Sequence, residues 1–320
     1  MPFPNVLSPN DAMAFALDIV VGMDREWQNS LSQDFLVTVF HAHFGSSPLV
    51  VADMWYDLQV GEYEGASLSS RNENSVSGYR MFLMAMFYLW AKPKNSHLLA
   101  SRFAICERYA RGAPLWHWIR KIAALAQKKI KWDESLSQPL SERFVASVDC
   151  VDCQYQEPQH PVYNIDRAYF STKFGRAGLK YEIVLSINHE QCMSINGPFK
   201  AGKPDMAVFR TKTKQLLKAI REESGQAKMM IGDSKYRKGP DFADEEGLLA
   251  PPSSSDFPVL AKFKSRVRCR HETFNGRIKN FSFLSNRFKG SEALHGIAMR
   301  AICVIVQYQM DNGSPIFCAK

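Results

Sequence analysis

An α/β fold, with a mixed sheet flanked by helices and preceded by a mainly helical N-terminal region, is the class this sequence predicts. Three observations carry that expectation. Residues 79–132 repeat their apolar positions at helical spacing. Past Ser137 and Pro139 the pattern turns to short β-branched runs, FVASVDCV at 144–151 and YEIVLSI at 181–187. Helical patterns then alternate with one more short apolar run, and strands followed by helices and a further strand give a mixed sheet with helices on its faces.

Taken in order, residues 1–70 are expected to hold helices and loops, with Leu36, Val37, Val39 and Phe40 running into a Gly45-Ser46-Ser47-Pro48 turn. The polar stretch 67–77 reads as a connector. A helix over 81–91, a break from Pro93 to Ser96, a short helix at 97–103 capped by Ser96 and a longer one to Lys131 follow. Helix, tight turn and helix suit a helix laid in a major groove, with Arg102, Arg108, Arg111, Arg120, Lys121, Lys128 and Lys129 for phosphates; they equally suit an ordinary three-helix packing unit. Strands at 144–151, 181–187 and 191–196 precede a helix at 206–223 and the run KMMIG at 228–232, which ends in Asp233. A long helix at 259–283 and another at 292–310, with Ile297, Ala301, Val304, Ile305 and Tyr308 on one face, complete the chain. The expected regions are 1–70, 71–140 and 141–320.

The 320 residues are 46% hydrophobic and 22% charged, which suffices for one large core or two moderate ones and excludes disordered and fibrous classes. Lys and Arg total 40 against 32 for Asp and Glu, a net charge of +8 that points to a polyanionic partner. Seven cysteines, an odd number spread over a long chain, argue against a disulfide framework and for a reducing compartment. The first residues lack a basic segment ahead of their apolar ones and carry Asp11 and Asp18, so they do not read as a signal peptide. The longest uncharged apolar run, 81–91, falls short of the roughly 20 residues a membrane-spanning helix needs. A soluble intracellular protein is expected, nuclear in a eukaryote and cytoplasmic otherwise.

The charge is unevenly placed. Residues 1–70 hold nine acids against Arg25 alone, and residues 71–140 sum to +8 and cancel them. Residues 141–260 sum to zero, with Asp241, Asp244, Glu245 and Glu246 offsetting the bases before them. Residues 261–290 hold nine bases against the single acid Glu272, so the whole surplus can be assigned to that stretch. A charge run is usually a solvated helix face; one carboxylate amid nine bases is a more pointed pattern.

Asp149 is expected at the far end of an apolar strand and Asp233 at the end of another, where an ionised carboxylate costs free energy unless something pairs with it. On the helix at 259–283 the apolar stripe is Phe263, Val267, Phe274, Ile278 and Phe281, interrupted by Arg270. At about 100° per residue Glu272 lies about 160° from Phe274, on the face shared by Arg268, Asn275 and Lys279. Two strand-end aspartates and one helical glutamate can converge on two divalent cations. Hard oxygen ligands suit Mg²⁺ or Mn²⁺, and a pair roughly 3.5–4 Å apart stabilises both the attacking and the leaving oxygen of a phosphodiester displacement. Neighbouring bases position phosphates. Asp152 falls on the opposite strand face from Asp149. Cys150 and Cys153 form a C-x-x-C without a second pair at zinc-site spacing, and His41, His43 and Trp116-His117-Trp118 read as packing. No P-loop, G-x-S-x-G or H-E-x-x-H occurs, so nothing supports ATP use, serine hydrolysis or zincin chemistry.

At these residues the chain resembles the DDE superfamily of transposases, in particular the Harbinger-type endonucleases. The matching elements are SVDCVDC around Asp149, YEIVLSINHEQCMSINGPFKAGKPDMAVFR, MMIGDSKY around Asp233, and RCRHETFNGRIKNFSFL around Glu272. Arg268, Glu272 and Lys279 also match the R-x-x-x-E-x-x-x-x-x-x-K signature of related bacterial insertion-sequence transposases. The likeness runs from about residue 144 to 312. It implies an RNase H-like catalytic domain, with Asp149 on the central strand bridging two metals, Asp233 on a neighbouring strand and Glu272 on a helix. Asp205, in GKPD, matches a recurring family aspartate that supports the ligands. The implied activity is two-metal cleavage of DNA phosphodiester bonds, with strand transfer by the freed 3′-hydroxyl as a further step. Arg268, Asn275, Arg277, Lys279, Lys235, Arg237 and Lys238 would contact DNA. The implied partners are DNA, further copies of the chain on DNA and a separate DNA-binding protein, with no membrane. Three departures stand out: Cys150 where a glycine commonly follows the first aspartate, Ser265 where the bacterial signature has tyrosine, and Asp233-Ser234-Lys235-Tyr236 in place of D-x-G-Y. The alternative is a domesticated DNA-binding or scaffold protein that keeps the fold without the chemistry.

Overall fold

Side-chain caps start most of the N-terminal helices in the computed structural model, which describes residues 6–60, 65, 73, 75–132, 143–156, 166–237 and 249–319. Ser8, Asp24 and Ser32 each accept a backbone N–H at the starts of α1 (Pro9–Val21), α2 (Arg25–Asn29) and α3 (Gln33–Phe44). Gly45 ends α3 in the left-handed region (φ 65°), with the Trp90 ring where a Cβ would stand, so no other residue fits there. The helices α4 (Pro48–Val60), α5 (Val76–Ala91) and α6 (Ser96–Arg102) follow. Asn95 rather than Ser96 caps α6, accepting from the His97 N–H at 2.8 Å. The longer helix expected to reach Lys131 is three pieces, α7 (Glu107–Arg111), α8 (Ala113–Ala124) and α9 (Ala126–Lys129). Gly112 takes an extended conformation and Pro114 lacks an N–H, which breaks the chain between the first two.

The chain divides into two units. One is Met1–Lys129 with Lys279–Ser285 and Ile297–Ser314; the other is Ile130–Ile278 with Asn286–Gly296 and Pro315–Lys320. The regions expected at 1–70 and 71–140 therefore share the first unit as far as Lys129. Several of its bases meet acids: Lys121, almost fully buried, lies 3.5 Å from Glu73, Lys128 bonds Asp57 at 2.7 Å, Lys129 meets Asp311 and Arg111 meets Glu107. These four are committed to internal pairs, which corrects the expectation that they await phosphates. Arg102, Arg108 and Arg120 remain exposed.

The second unit is built on a five-stranded mixed sheet. In it β1 (Phe144–Gln154) pairs antiparallel with β3 (Arg176–Ser186), which pairs with β2 (Phe170–Ser171) at one end and β4 (Cys192–Lys200) along the rest; β5 (Met229–Gly232) runs parallel to β1. The strand holding Asp149 runs to Gln154, so the aspartate lies mid-strand rather than at the far end. Polar Asp152 and Gln154 hide the continuation from a reading based on apolar runs. The helix expected at 206–223 is α10 (Asp205–Phe209) and α11 (Thr213–Ser224), which cover one face of the sheet around Val145, Val148, Val184, Phe209, Leu217 and Met230. On the other side Ile187, Ile231, Val267 and Ala319 form a small core with α12 (Pro258–Asn280). The stripe expected on this helix is seen at Val267, Phe274 and Ile278, all buried, while Phe263 is half-buried against Phe144.

Past Asn280 the expected long helix restarts as α13 (Ser282–Ser285), and α14 (Glu292–Asp311) follows. Residues 298–306 of α14 are buried on every side except at Arg300, not along one face. A helix apolar all round belongs in a core, which is why most of it joins the helical unit. Tyr308 and Gln309 tie it there, to Asp57 and to the Gly45 carbonyl.

Candidate active site

Strand alternation sets the first carboxylate. Ser147 and Asp149, two residues apart on β1, face the same side, and both reach α12: Ser147 Oγ is 2.8 Å from His271 Nδ1, and Asn275 Nδ2 donates to Asp149 Oδ2 at 3.0 Å. The Cys150 N–H donates to the other Asp149 oxygen at 2.8 Å. Because β5 runs parallel to β1 with Gly232 opposite Val148, Asp233 leaves its strand beside Asp149. The chain turns there so tightly that a Cβ on Gly232 would stand 3.1 Å from the Tyr236 ring. Glu272, exposed on α12 and off its buried stripe, supplies the third acid. Asp149, Asp233 and Glu272 line one cavity with Ser147, Val148, Ile231, Arg268 and His271.

The field in this cavity is uneven. Burial pushes the Asp149 carboxyl up to about 6, with Asp233 and Asp205 adding repulsion, while the Cys150 N–H and Lys235 act the other way. Arg268 sits 3.5 Å from Asp233. Burial, helped by Arg270, lowers His271 to about 3, so its imidazole is neutral, and its Nε2 has no hydrogen-bond partner among the described residues. Asn275 Oδ1 is likewise buried without a partner among them. A buried carboxylate facing a second one is costly as an anion, and a cation offsets that cost. Three carboxylates are the donor set of a hard divalent ion. Among the described residues, however, no three His, Cys, Asp or Glu side chains stand close enough together to hold a metal ion.

The remaining residues read from the sequence divide by what they touch. Asp205 is buried and bonded to Lys180 at 2.5 Å, on the α10 side of the sheet. Lys235 is exposed and its charge reaches Asp149. Asn275 holds a carboxylate, whereas the sequence pointed it at DNA. Arg277 donates to the Pro315 carbonyl at 2.8 Å, and Lys279 falls in the other unit. Lys238 and the side chain of Arg237 lie outside the described residues, as do Asp241, Asp244, Glu245 and Glu246. Asp152 accepts from Ser171 at 2.6 Å, on the face opposite Asp149. Cys150 meets the Tyr236 hydroxyl while Cys153 is buried on the other face, and all seven cysteines are free thiols.

Sequence reasoning missed Ser147, His271 and Tyr236. Two signals were present: Ser147 shares the strand face of Asp149, and His271 lies three residues from Arg268 and four from Asn275, on one helical stripe. No single helix among the described residues is long and apolar enough to cross a membrane. Comparison of the chain with protein-family models, with curated proteins and with solved structures gives no match, so the residues of the cavity carry the functional reading alone.

Proposed function

We propose that this chain is a metal-dependent DNA endonuclease of the DDE transposase type, built on an RNase H-like domain. The observation that carries the proposal is that one cavity is lined by Asp149 from the interior strand β1, Asp233 from just past the neighbouring parallel strand β5 and Glu272 from α12. Those are the positions the resemblance implies for the three ligands. Asp149, Asp233 and Glu272 would hold Mg²⁺ or Mn²⁺, and two such ions supply activation of the attacking oxygen and stabilisation of the leaving one.

The chain's own groups prepare that site. Asn275 and the Cys150 N–H fix both oxygens of Asp149, so its carboxylate keeps one orientation. Ser147 and His271 back the same wall. Arg268 lies beside Asp233 and Lys235 near Asp149, where each can hold a phosphate oxygen. Strand transfer, assembly of several copies on DNA, a separate DNA-binding partner and a nuclear or cytoplasmic location belong to the same proposal.

The test is a nicking assay on supercoiled plasmid with Mg²⁺, with Mn²⁺ and with EDTA. The parent protein nicks with either ion and not with EDTA. Asp149→Ala lowers nicking at least a thousandfold with an unchanged circular dichroism spectrum; undiminished cleavage sinks the assignment. One observation favours a second reading, a DNA-binding or scaffold protein without chemistry: Arg268 already neutralises Asp233, and among the described residues no three candidate ligands stand close enough together to hold a metal ion. That reading expects salt-sensitive DNA binding and no cleavage with any ion.

A further inference from the structure

At the far end of the sheet from β5, the turn joining β2 to β3 combines bases and an exposed aromatic ring. Phe170 is 46% exposed, and Arg167, Lys173 and Arg176, all exposed, lie within six residues of it along the chain. None of the three bases forms an ion pair among the described residues. The nearby acids are engaged elsewhere: Asp166 holds Lys200 at 2.8 Å, Asp152 accepts from Ser171, and Glu292 accepts from the Tyr169 hydroxyl. The turn is tight, with Gly175 at φ 63° and Phe170 opposite Ala177 across the ladder. Three unneutralised bases on one short hairpin that also carries an exposed ring match a polyanion that also offers flat faces.

We propose that this hairpin is a second DNA contact, in which Arg167, Lys173 and Arg176 hold backbone phosphates and Phe170 packs on the sugar and base faces between them. Its distance from the cavity follows from the register. Asp149 pairs with Ile183, and Arg176 lies seven residues earlier on β3. At about 3.3 Å per residue that is roughly 23 Å, or about seven base pairs of duplex. The hairpin therefore meets DNA flanking the scissile bond; this placement rests on the nuclease reading, whereas DNA binding by the hairpin does not.

Binding is measured by fluorescence anisotropy of a labelled 30-base-pair duplex in EDTA, so that cleavage plays no part. Replacing Arg167, Lys173 and Arg176 together by alanine lowers affinity at least tenfold at low salt. It also flattens the plot of log affinity against log salt by roughly 2 to 3, about 0.9 for each phosphate that the variant leaves without a base. Lys173→Glu, at the exposed tip, lowers affinity in the same direction and guards against misfolding of the triple variant. Phe170→Ala weakens binding about threefold. Equal affinity and salt slope in parent and charge variants overturn the proposal, as does a parent protein that binds no DNA. Placement is tested separately with pre-nicked duplexes. Flanks of four base pairs make parent and triple variant equal and flanks of twelve separate them; a deficit already full at four overturns the placement. Failure of plasmid nicking alone removes the nuclease reading and leaves the hairpin's binding intact.

Discussion

Two stretches carry the same surplus of positive charge, residues 71–140 and 261–290, and the structure sets several bases of each against different partners. In the helical unit the bases meet carboxylates: Lys121 with Glu73, Lys128 with Asp57 and Lys129 with Asp311. In the sheet unit Lys264 of α12 pairs with Asp256 at 2.8 Å and Arg268 lies 3.5 Å from Asp233, but three further bases of this helix donate to carbonyls. Arg266 donates to the Cys318 carbonyl, Arg277 to that of Pro315, and buried Arg270 to those of Ser186, His189 and Phe317. A carbonyl satisfies an N–H donor but cancels no charge. Acids thus cancel several bases of the helical unit, while Arg266 and Arg270 of α12 have their donors satisfied by carbonyls that cancel no charge. Two buried acids also differ, although Asp205 of the sheet unit does hold Lys180. Asp57 is held by Lys128 and the Tyr308 hydroxyl. Glu182, fully buried on β3, accepts from Thr213 and has no base partner among the described residues; burial raises its carboxyl to about 7, so at neutral pH it is protonated about half the time.

The largest expected effect tests the carbonyl-held arginines. Arg270→Met strips donors from three carbonyls and loosens the turn after β3 and the C-terminal residues together. A destabilisation of about 3 kcal/mol is expected by urea denaturation. It should persist in 0.5 M salt, because the hydrogen bonds lost are to carbonyls; an effect that salt abolishes would count against the carbonyl argument.

Glu182→Gln comes next. The folded carboxyl titrates near 7 against 4.5 in its ordinary state, so the native protein binds more protons between those values and is destabilised as pH rises through 7. The amide copies the protonated form. At pH 8.5 the variant is expected to gain on the order of 2 kcal/mol, and at pH 4 nothing. Melting temperatures at the two pH values check this, and an equal shift at both would show that Glu182 does not ionise.

Lys128→Met removes a half-exposed charge partner and leaves Asp57 its Tyr308 bond, which is expected to cost about 1 kcal/mol. Here salt matters: the difference from the parent narrows at 0.5 M, in contrast to Arg270. The smallest effect is that of a cap, Asn95→Ala, at about 0.5–1 kcal/mol, and an unchanged melting temperature would mean that α6 starts without it.

Much of the sheet unit was legible because its signals are local. Short β-branched runs marked β1 and β3, a short apolar run marked β5, and helical spacing marked α12 and separated Glu272 from the buried stripe. What escaped depended on partners distant in sequence. Asp149 lies mid-strand because β3 continues to pair past it, which no apolar run announces. Asn275 looked like a phosphate ligand on the outer face of a helix, and only the approach of β1 turns it toward a carboxylate. Arg270 broke an apolar stripe for no local reason; the carbonyls that explain it come from residues 186, 189 and 317.

The sequence by itself determined which residues can carry charge, where many of the strands and helices begin, and that three acids sit in contexts where an anion needs a partner. These follow from propensity, periodicity and composition, each confined to a few neighbouring residues. The tertiary structure alone decided which charges survive. Whether a base finds a carboxylate, which cancels its charge, or a carbonyl, which does not, is settled by chain segments dozens of residues apart. That choice sets Arg266 and Arg270 of α12 against carbonyls and leaves, among the described residues, three bases without an acid on the β2–β3 hairpin.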